Sequence, residues 1–304
     1  MEYILTTDAL CKQYGHFKAL DGCSLHVPKG AIYGFVGKNG AGKTTLIRLI
    51  SGLQTPSSGG YSLYGVSDKD KEIIKPRRRI GAVIETPSVY LDMTAEENLK
   101  AQYRILGLPS FDGIPGLLSL VGLPNTGKKK VRDFSLGMKQ RLAIAVALCG
   151  DPDFLVLDEP TNGLDPQGIV DIRELILKLN HGHQITVLVS SHYLGELSKI
   201  ATHYGFIDNG HIVKEMSAKE LETECRKCMR VEVSSTKVLA RVLDKMRVEY
   251  KIISDTTADI FEEVKITPLT LALSEQNCEV VSVKERDESL ESYYIAIVGG
   301  DHNA

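Results

Sequence analysis

Gly37-Lys38-Asn39-Gly40-Ala41-Gly42-Lys43-Thr44 decides how the rest of this chain is read. The eight residues fit G-x-x-x-x-G-K-[ST] without a departure. The apolar run AIYGFVG (31–37) leads in as a strand, and TTLIRLISG (44–52) leads out as a helix, the context this motif needs. The glycines let the backbone wrap closely around an anion and turn its N–H groups inward. The helix starting near Lys43 adds the positive end of its dipole. A loop of this kind cradles a nucleoside triphosphate: Lys43 would reach the β- and γ-phosphates, Thr44 would offer its hydroxyl to Mg²⁺, and Thr45 continues the same turn. A glycine turn beside a surface lysine would not match all eight positions and both flanks.

Downstream, Phe154-Leu155-Val156-Leu157-Asp158 is an apolar strand that ends in an acid and is followed at once by Glu159. By itself such a run is weak evidence. After a phosphate loop it reads as the partner half of the site, with Asp158 holding Mg²⁺ through water and Glu159 polarising the attacking water. The strand ITVLVSS (185–191) ends in His192, at a place equivalent to Glu159 on its own strand. Both residues therefore belong at the carboxyl edge of the sheet, where doubly wound folds bind ligands. A γ-phosphate contact is expected for His192.

Around these motifs, short β-branched runs alternate with helical stretches through about Met216. SLHV (24–27), IGAVI (80–84) and HYGFID (203–208) read as further strands, and IVDIRELILKLN (169–180) as a helix ended by the His-Gly-His turn at 181–183. FLVLD and ITVLVSS lack polar alternation, as strands covered on both faces do. The expected class is therefore α/β, with a largely parallel sheet and helices on both faces. The opening strands and the hairpin DNGHIVKEM (208–216) are expected to be antiparallel.

Between the two halves of the site stands Asp133-Phe134-Ser135-Leu136-Gly137-Met138-Lys139-Gln140-Arg141, running straight into a helix. A phosphate loop alone would admit kinases, GTPases and helicases. FSLGMKQR, LDEPTNGLD and SSH in this order make residues 1–216 resemble an ATP-binding cassette (ABC) protein. The resemblance implies a mixed, largely parallel sheet with an antiparallel β subdomain and a helical subdomain. It implies two cassettes packed head to tail, with each ATP between one subunit's phosphate loop and the other's signature segment Ser135, Leu136, Gly137 and Met138. It also implies a membrane-spanning permease as partner, and Tyr14 stacked on adenine.

Two positions depart from the family pattern. The signature usually reads LSGGQ, and here Leu136 and Met138 replace a glycine and a glutamine. Ser135 and Gly137 still open a helix N-terminus suited to an anion, and Leu136 is expected to point away from the phosphate. The family's metal-touching glutamine after the strand IGAVI is here Glu85, which can coordinate a cation but cannot donate a hydrogen bond. Glutamate there, the SLGM signature and the ending LESYYIAIVGG (290–300) are similar to exporters that protect bacteria against bacitracin and lantibiotics. That likeness implies export, from a cytoplasmic position on the inner face of the membrane. The second cassette could be an identical chain or a second ABC subunit. Residues 86–108 are expected to form the helical region that receives the permease, with Thr94 starting a helix ahead of Glu96 and Glu97.

The chain has 304 residues, 43% of them hydrophobic, and a net charge of −3. This composition suits one large and one small domain and carries no basic surface for nucleic acid. A non-transport ABC ATPase working on ribosomes or DNA is the competing reading. It is disfavoured by a single cassette and by only about ninety residues between Thr44 and Phe134, without sustained heptads. A phosphotransferase using the same loop is disfavoured by the signature. No basic region precedes an apolar run at the start, and even LAIAVALCG (142–150) is far shorter than the ~20 residues that cross a bilayer. Cys11, Cys23, Cys149 and Cys278 stand singly and read as thiols, and the spacing Cys225-x-x-Cys228 lacks a second ligand pair.

The expected domains are 1–220, with a helical subdomain at about 86–150, and a small α+β unit at 226–304. The latter reads strand–helix–strand–strand–helix–strand, closed by a last helix, and suggests a ferredoxin-like fold.

Overall fold

The structure is a computed structural model that describes residues 2–225, 227–262, 264–286 and 290–299. It divides into two compact units, Met1–Ala218 and Lys219–Ala304.

The first unit opens with β1 (Tyr3–Tyr14), β2 (Phe17–Cys23) and β3 (His26–Pro28), and both later strands pair antiparallel to β1. Next come β4 (Ile32–Val36), the phosphate loop and α1 (Lys43–Ile50). β5 (Ser58–Leu63) and β6 (Val66–Ser67) return to β1 and complete an antiparallel sheet in the order β2-β1-β5-β6, with β3 also on β1. The chain continues through α2 (Ile74–Arg77), β7 (Ile80–Val83), α3 (Ala95–Leu106), α4 (Ile114–Leu120) and α5 (Leu136–Leu148). It ends this unit with β8 (Phe154–Asp158), α6 (Pro166–His183), β9 (Thr186–Ser191), α7 (Leu194–Leu197), β10 (His203–Asp208) and β11 (His211–Ser217).

The second sheet has the order β11-β10-β4-β9-β8-β7. Its neighbours from β10 to β7 are parallel, and β11 is an antiparallel edge. β4, β8 and β9 are buried at every residue, which is why their sequences are apolar without alternation. Leu46, Ile47, Leu49 and Ile50 of α1 join Phe154, Val156 and Leu188 in one core with Leu5, Leu10 and Leu20 of the antiparallel sheet. Burying such a side chain contributes about 1.5–3 kcal/mol, so the helix that leaves the phosphate loop is anchored to both sheets. Because β4, β7, β8 and β9 run parallel, the loops after them emerge at one edge. That edge collects the phosphate loop, Glu85, Glu159 and His192.

One local expectation needs correcting. The His-Gly-His stretch does not end α6, which runs through His183 and closes at Gln184 in the left-handed conformation, φ 55°. Asn180 stays inside because its side chain bonds the carbonyls of Gly30 and Ile185, at 2.9 and 2.8 Å. The helix expected to start at Thr94 does so, running from Ala95 after a loop over 86–94. Thr94 caps it, with its side chain accepting from Glu97 N–H while the Glu97 side chain accepts from Thr94 N–H.

In the second unit, α8 (Ala218–Glu224) precedes β12 (Cys228–Val233), α9 (Thr236–Met246), β13 (Tyr250–Ile252) and β14 (Thr257–Ile260). α10 (Ile266–Ser274), β15 (Val280–Arg286) and α11 (Leu290–Gly299) complete it. The sheet order β13-β14-β12-β15, antiparallel throughout, is the ferredoxin-like arrangement. Val231, Leu239, Leu243, Ile260, Leu269 and Leu273 form its core. Among the described residues no helix is long and apolar enough to cross a membrane.

Candidate functional site

The phosphate loop is held by close backbone approach. A Cβ at Gly37 would lie 2.6 Å from Ile207 Cγ2 and 2.7 Å from its carbonyl oxygen. At Gly42 it would lie 2.5 Å from the Ala19 carbonyl, and φ there is 109°, so both space and backbone demand glycine. Gly40, also at positive φ, faces open space with nothing within 4 Å of its missing Cβ. Lys38 and Asn39 are exposed, whereas Ala41 is buried. Gly42 caps α1 without any side-chain bond, and the first turn holds no acid. The N–H groups of that turn are thus left for an outside acceptor, as an oxyanion would be.

Lys43 is buried, 6% exposed. Its ammonium donates to the carbonyls of Gly37 at 2.6 Å and Lys38 at 3.2 Å, and lies 3.1 Å from Glu159 Oε1. A buried cation requires such acceptors, and each stands where a phosphate oxygen could compete. One residue on, Thr44 Oγ1 donates to Asp158 Oδ2 at 2.7 Å. The other oxygen, Oδ1, accepts from Ser190 Oγ at 2.5 Å. A hydroxyl paired with a buried carboxylate is a hard oxygen donor set of the kind Mg²⁺ prefers.

Glu159 sits just past β8 at φ 49°, an uncommon conformation for a residue with a Cβ. Its N–H is fixed by both the carbonyl and the hydroxyl of Ser190, at 3.2 and 2.9 Å. Glu159 Oε2 shares a hydrogen bond with His192 Nδ1 at 2.8 Å. Oε1 is buried and, beyond the nearby Lys43 charge, has no donor aligned on it. A carboxylate gripped through one oxygen with the other unbonded is arranged to take a proton. The ring of Tyr193 lies 3.9 Å from that of His192.

Glu85 follows β7 at φ 59° and bonds Arg48 Nη2 at 2.7 Å. Tyr14, at the end of β1, is 42% exposed, donates its hydroxyl to Gln54 and carries Lys12 Nζ 5.3 Å from its ring centre. Ser135 caps α5 by accepting from Met138 N–H at 3.2 Å. Leu136 Cδ2 lies over Gly163, and Gly137 is next to Leu164 and Gly168. The signature segment is therefore packed on the turn that follows Glu159.

The family profile described as ABC transporter matches residues 20–162. The bacitracin transport ATP-binding protein of Enterococcus faecalis is 38% identical over 307 residues, covering 99% of this chain and 98% of that protein. This chain belongs to the ABC transporter ATP-binding proteins. The lantibiotic transport ATP-binding protein of Streptococcus pyogenes is 40% identical over 212 residues, 70% of this chain and 90% of its own length. A dimeric ATP-binding cassette solved in a post-hydrolysis state with ADP and phosphate superposes with a TM-score of 0.63 at 25% identity, over 70% of this chain and 98% of that one.

As an ABC transporter ATP-binding subunit, the protein binds and hydrolyses ATP. The full-length likeness to a transport protein sets aside the reading of a cassette acting on ribosomes or nucleic acid. The fold joins Lys43, Thr44, Asp158, Glu159 and His192 through direct contacts. It pairs Glu85 with Arg48. Sequence reading missed Ser190, which ties Asp158 to Glu159. Its only signal was a pair of serines ending an apolar strand, and both are buried. Arg48 was missed as well, because its partner lies 37 residues away.

Proposed function

We propose that this subunit drives export of a peptide antibiotic of the bacitracin or lantibiotic class, working as a head-to-tail pair of cassettes beneath a separate membrane permease. The observation that carries the reading is the match along nearly the whole chain, C-terminal unit included, to a bacitracin transport ATP-binding protein.

In the proposed mechanism the Gly37–Thr45 loop and the first turn of α1 bind the β- and γ-phosphates, and Tyr14 stacks on adenine. Lys43 leaves Glu159 and its own loop carbonyls for the phosphate oxygens, which carry more charge. That exchange frees Glu159 Oε1 to take a proton from water as the water oxygen attacks the γ-phosphorus. The bond from the γ-phosphorus to the bridging oxygen breaks, leaving ADP and phosphate. His192 keeps hold of Oε2, so Oε1 stays aimed while it works. Mg²⁺, held by Thr44 and Asp158, would neutralise charge on the phosphates. Ser135 and Gly137 of the second cassette would close the γ-phosphate from the other side with a helix N-terminus.

Contact with the permease is supported by a groove of about 300 Å³ lined by Ser88, Val89, Tyr90, Asn98, Gln102, Ile105 and Val146. Asn98 is 3% exposed and clamps Tyr90 from both sides, accepting from its N–H at 2.7 Å and donating to its carbonyl at 3.0 Å. Tyr90, Leu91 and Ile105 are exposed beside it, an apolar surface suited to a partner helix.

The test is antibiotic protection of cells that carry the subunit with its permease. Protection should disappear with Glu159→Gln at normal protein levels. Full protection in that variant would reject ATP-driven export as the function.

A further inference from the structure

Helix α1 carries three consecutive links to the acidic edge of the sheet. Lys43 lies 3.1 Å from Glu159, Thr44 donates to Asp158 at 2.7 Å, and Arg48 donates to Glu85 at 2.7 Å. Glu85 and Glu159 share a second peculiarity: each follows a parallel strand in the left-handed conformation, at φ 59° and 49°. Strain of this kind persists where the surroundings impose it, and it gathers at working sites.

Thr44 and Arg48 are four residues apart, so they share one face of α1 and stand about 6 Å apart along its axis. A carboxylate at this edge is a like charge to an incoming triphosphate. An arginine one turn from the Thr44–Asp158 contact can neutralise it and also fix where it points, because a guanidinium bonds oxygen in a defined direction.

We propose that Arg48 is the positioning residue for Glu85, cancelling its charge and holding it one helical turn along α1 from Thr44 and Asp158 so that the triphosphate can enter. This rests on the reading of the Gly37–Thr45 loop as the ATP site. Arg48 touches no reacting atom in this scheme. Its effect on nucleotide runs through Glu85, and it is electrostatic. The two side chains are part-exposed, at 36% and 54%, so the effect is modest and sensitive to salt. Between unit charges one to two helical turns apart in a water-like dielectric, repulsion changes affinity about two- to fourfold.

The experiment is titration of the full chain with a fluorescent methylanthraniloyl-ATP in magnesium at low and at 0.5 M salt. It uses the unsubstituted protein, Arg48→Met, Arg48→Lys, Glu85→Gln and the double substitution Arg48→Met/Glu85→Gln. Arg48→Met should weaken binding about threefold at low salt, with the loss fading at high salt. The same substitution should cost nothing in the Glu85→Gln background, and Arg48→Lys should keep most of the affinity. Thermal unfolding midpoints without nucleotide check that each variant is folded. An equal loss in both backgrounds, a loss indifferent to salt, or no loss at all would each overturn the assignment. If the unsubstituted chain binds no nucleotide, the fault lies instead with the reading of the loop, and the proposal falls with it.

Discussion

Replacing His192 by alanine separates a residue that aims the base from one that binds nucleotide. In the structure His192 Nδ1 is 2.8 Å from Glu159 Oε2, while Glu159 Oε1 stays beside Lys43. Removing the ring deletes one hydrogen bond to a charged group, worth about 1.5–3 kcal/mol. If that energy serves to hold Glu159 in its working pose, turnover falls about 10- to 150-fold, since each 1.36 kcal/mol is tenfold. Affinity for ATP should change little, because the loop amides and Lys43 are untouched. Steady-state ATPase assays on the purified subunit give kcat and KM, and the pair His192→Ala/Glu159→Gln completes a cycle. The double variant should be no slower than Glu159→Gln alone, because residues acting as one unit are not additive. Additive losses, or a His192→Ala variant with kcat within twofold of the original, would refute the idea that His192 works through Glu159.

Other expectations are simpler to check. Gly42→Ala should abolish ATP binding and lower the thermal midpoint, since its Cβ would meet the Ala19 carbonyl at 2.5 Å in a backbone conformation with φ 109°; binding of nucleotide by this variant would contradict the loop geometry. Burial pushes the Cys23 and Cys149 thiols up to about 12, so at pH 8 iodoacetamide should leave both unmodified in the folded protein and label them after denaturation. Burial alone would raise the Asp153 carboxyl, but the Arg79 and Tyr64 bonds hold it below its ordinary 3.8. A depressed folded value means the stabilisation is complete above the unfolded value and is lost as pH falls through the folded one. The gap in thermal midpoint between the original chain and Asp153→Asn should therefore be steady above about pH 5 and shrink below pH 3.8. Tyr90→Arg should spare ATPase activity of the isolated subunit and remove the permease from pull-downs, and retained co-purification would disprove the groove.

Much of this molecule was readable because its motifs are local. The strand–loop–helix at residues 31–52 announces itself through eight fixed positions, and β8 and β9 through apolar runs that end in a polar residue. What stayed illegible depends on contacts between segments. Ser190 matters because it faces Asp158 across β8 and β9, and neither run of sequence says which strands adjoin. Arg48 looked like an ordinary polar position on α1 until Glu85 was brought to it. The His-Gly-His stretch misled because glycine costs only about 1 kcal/mol inside a helix, less than the buried Asn180 bonds supply together with the rest of α6 packing. The segment 86–94 has no periodicity to read, and its shape comes from Asn98 clamping Tyr90 and from β-bridging of Thr94 to Lys130.

The most direct test of a shared, two-cassette site is the mass of the Glu159→Gln protein in solution, measured by light scattering with and without magnesium and ATP. It should run as a single chain without nucleotide and at twice that mass with ATP bound, and Ser135→Arg added to it should return the single chain while ATP binding persists. A Glu159→Gln protein that holds ATP and stays monomeric would contradict the account.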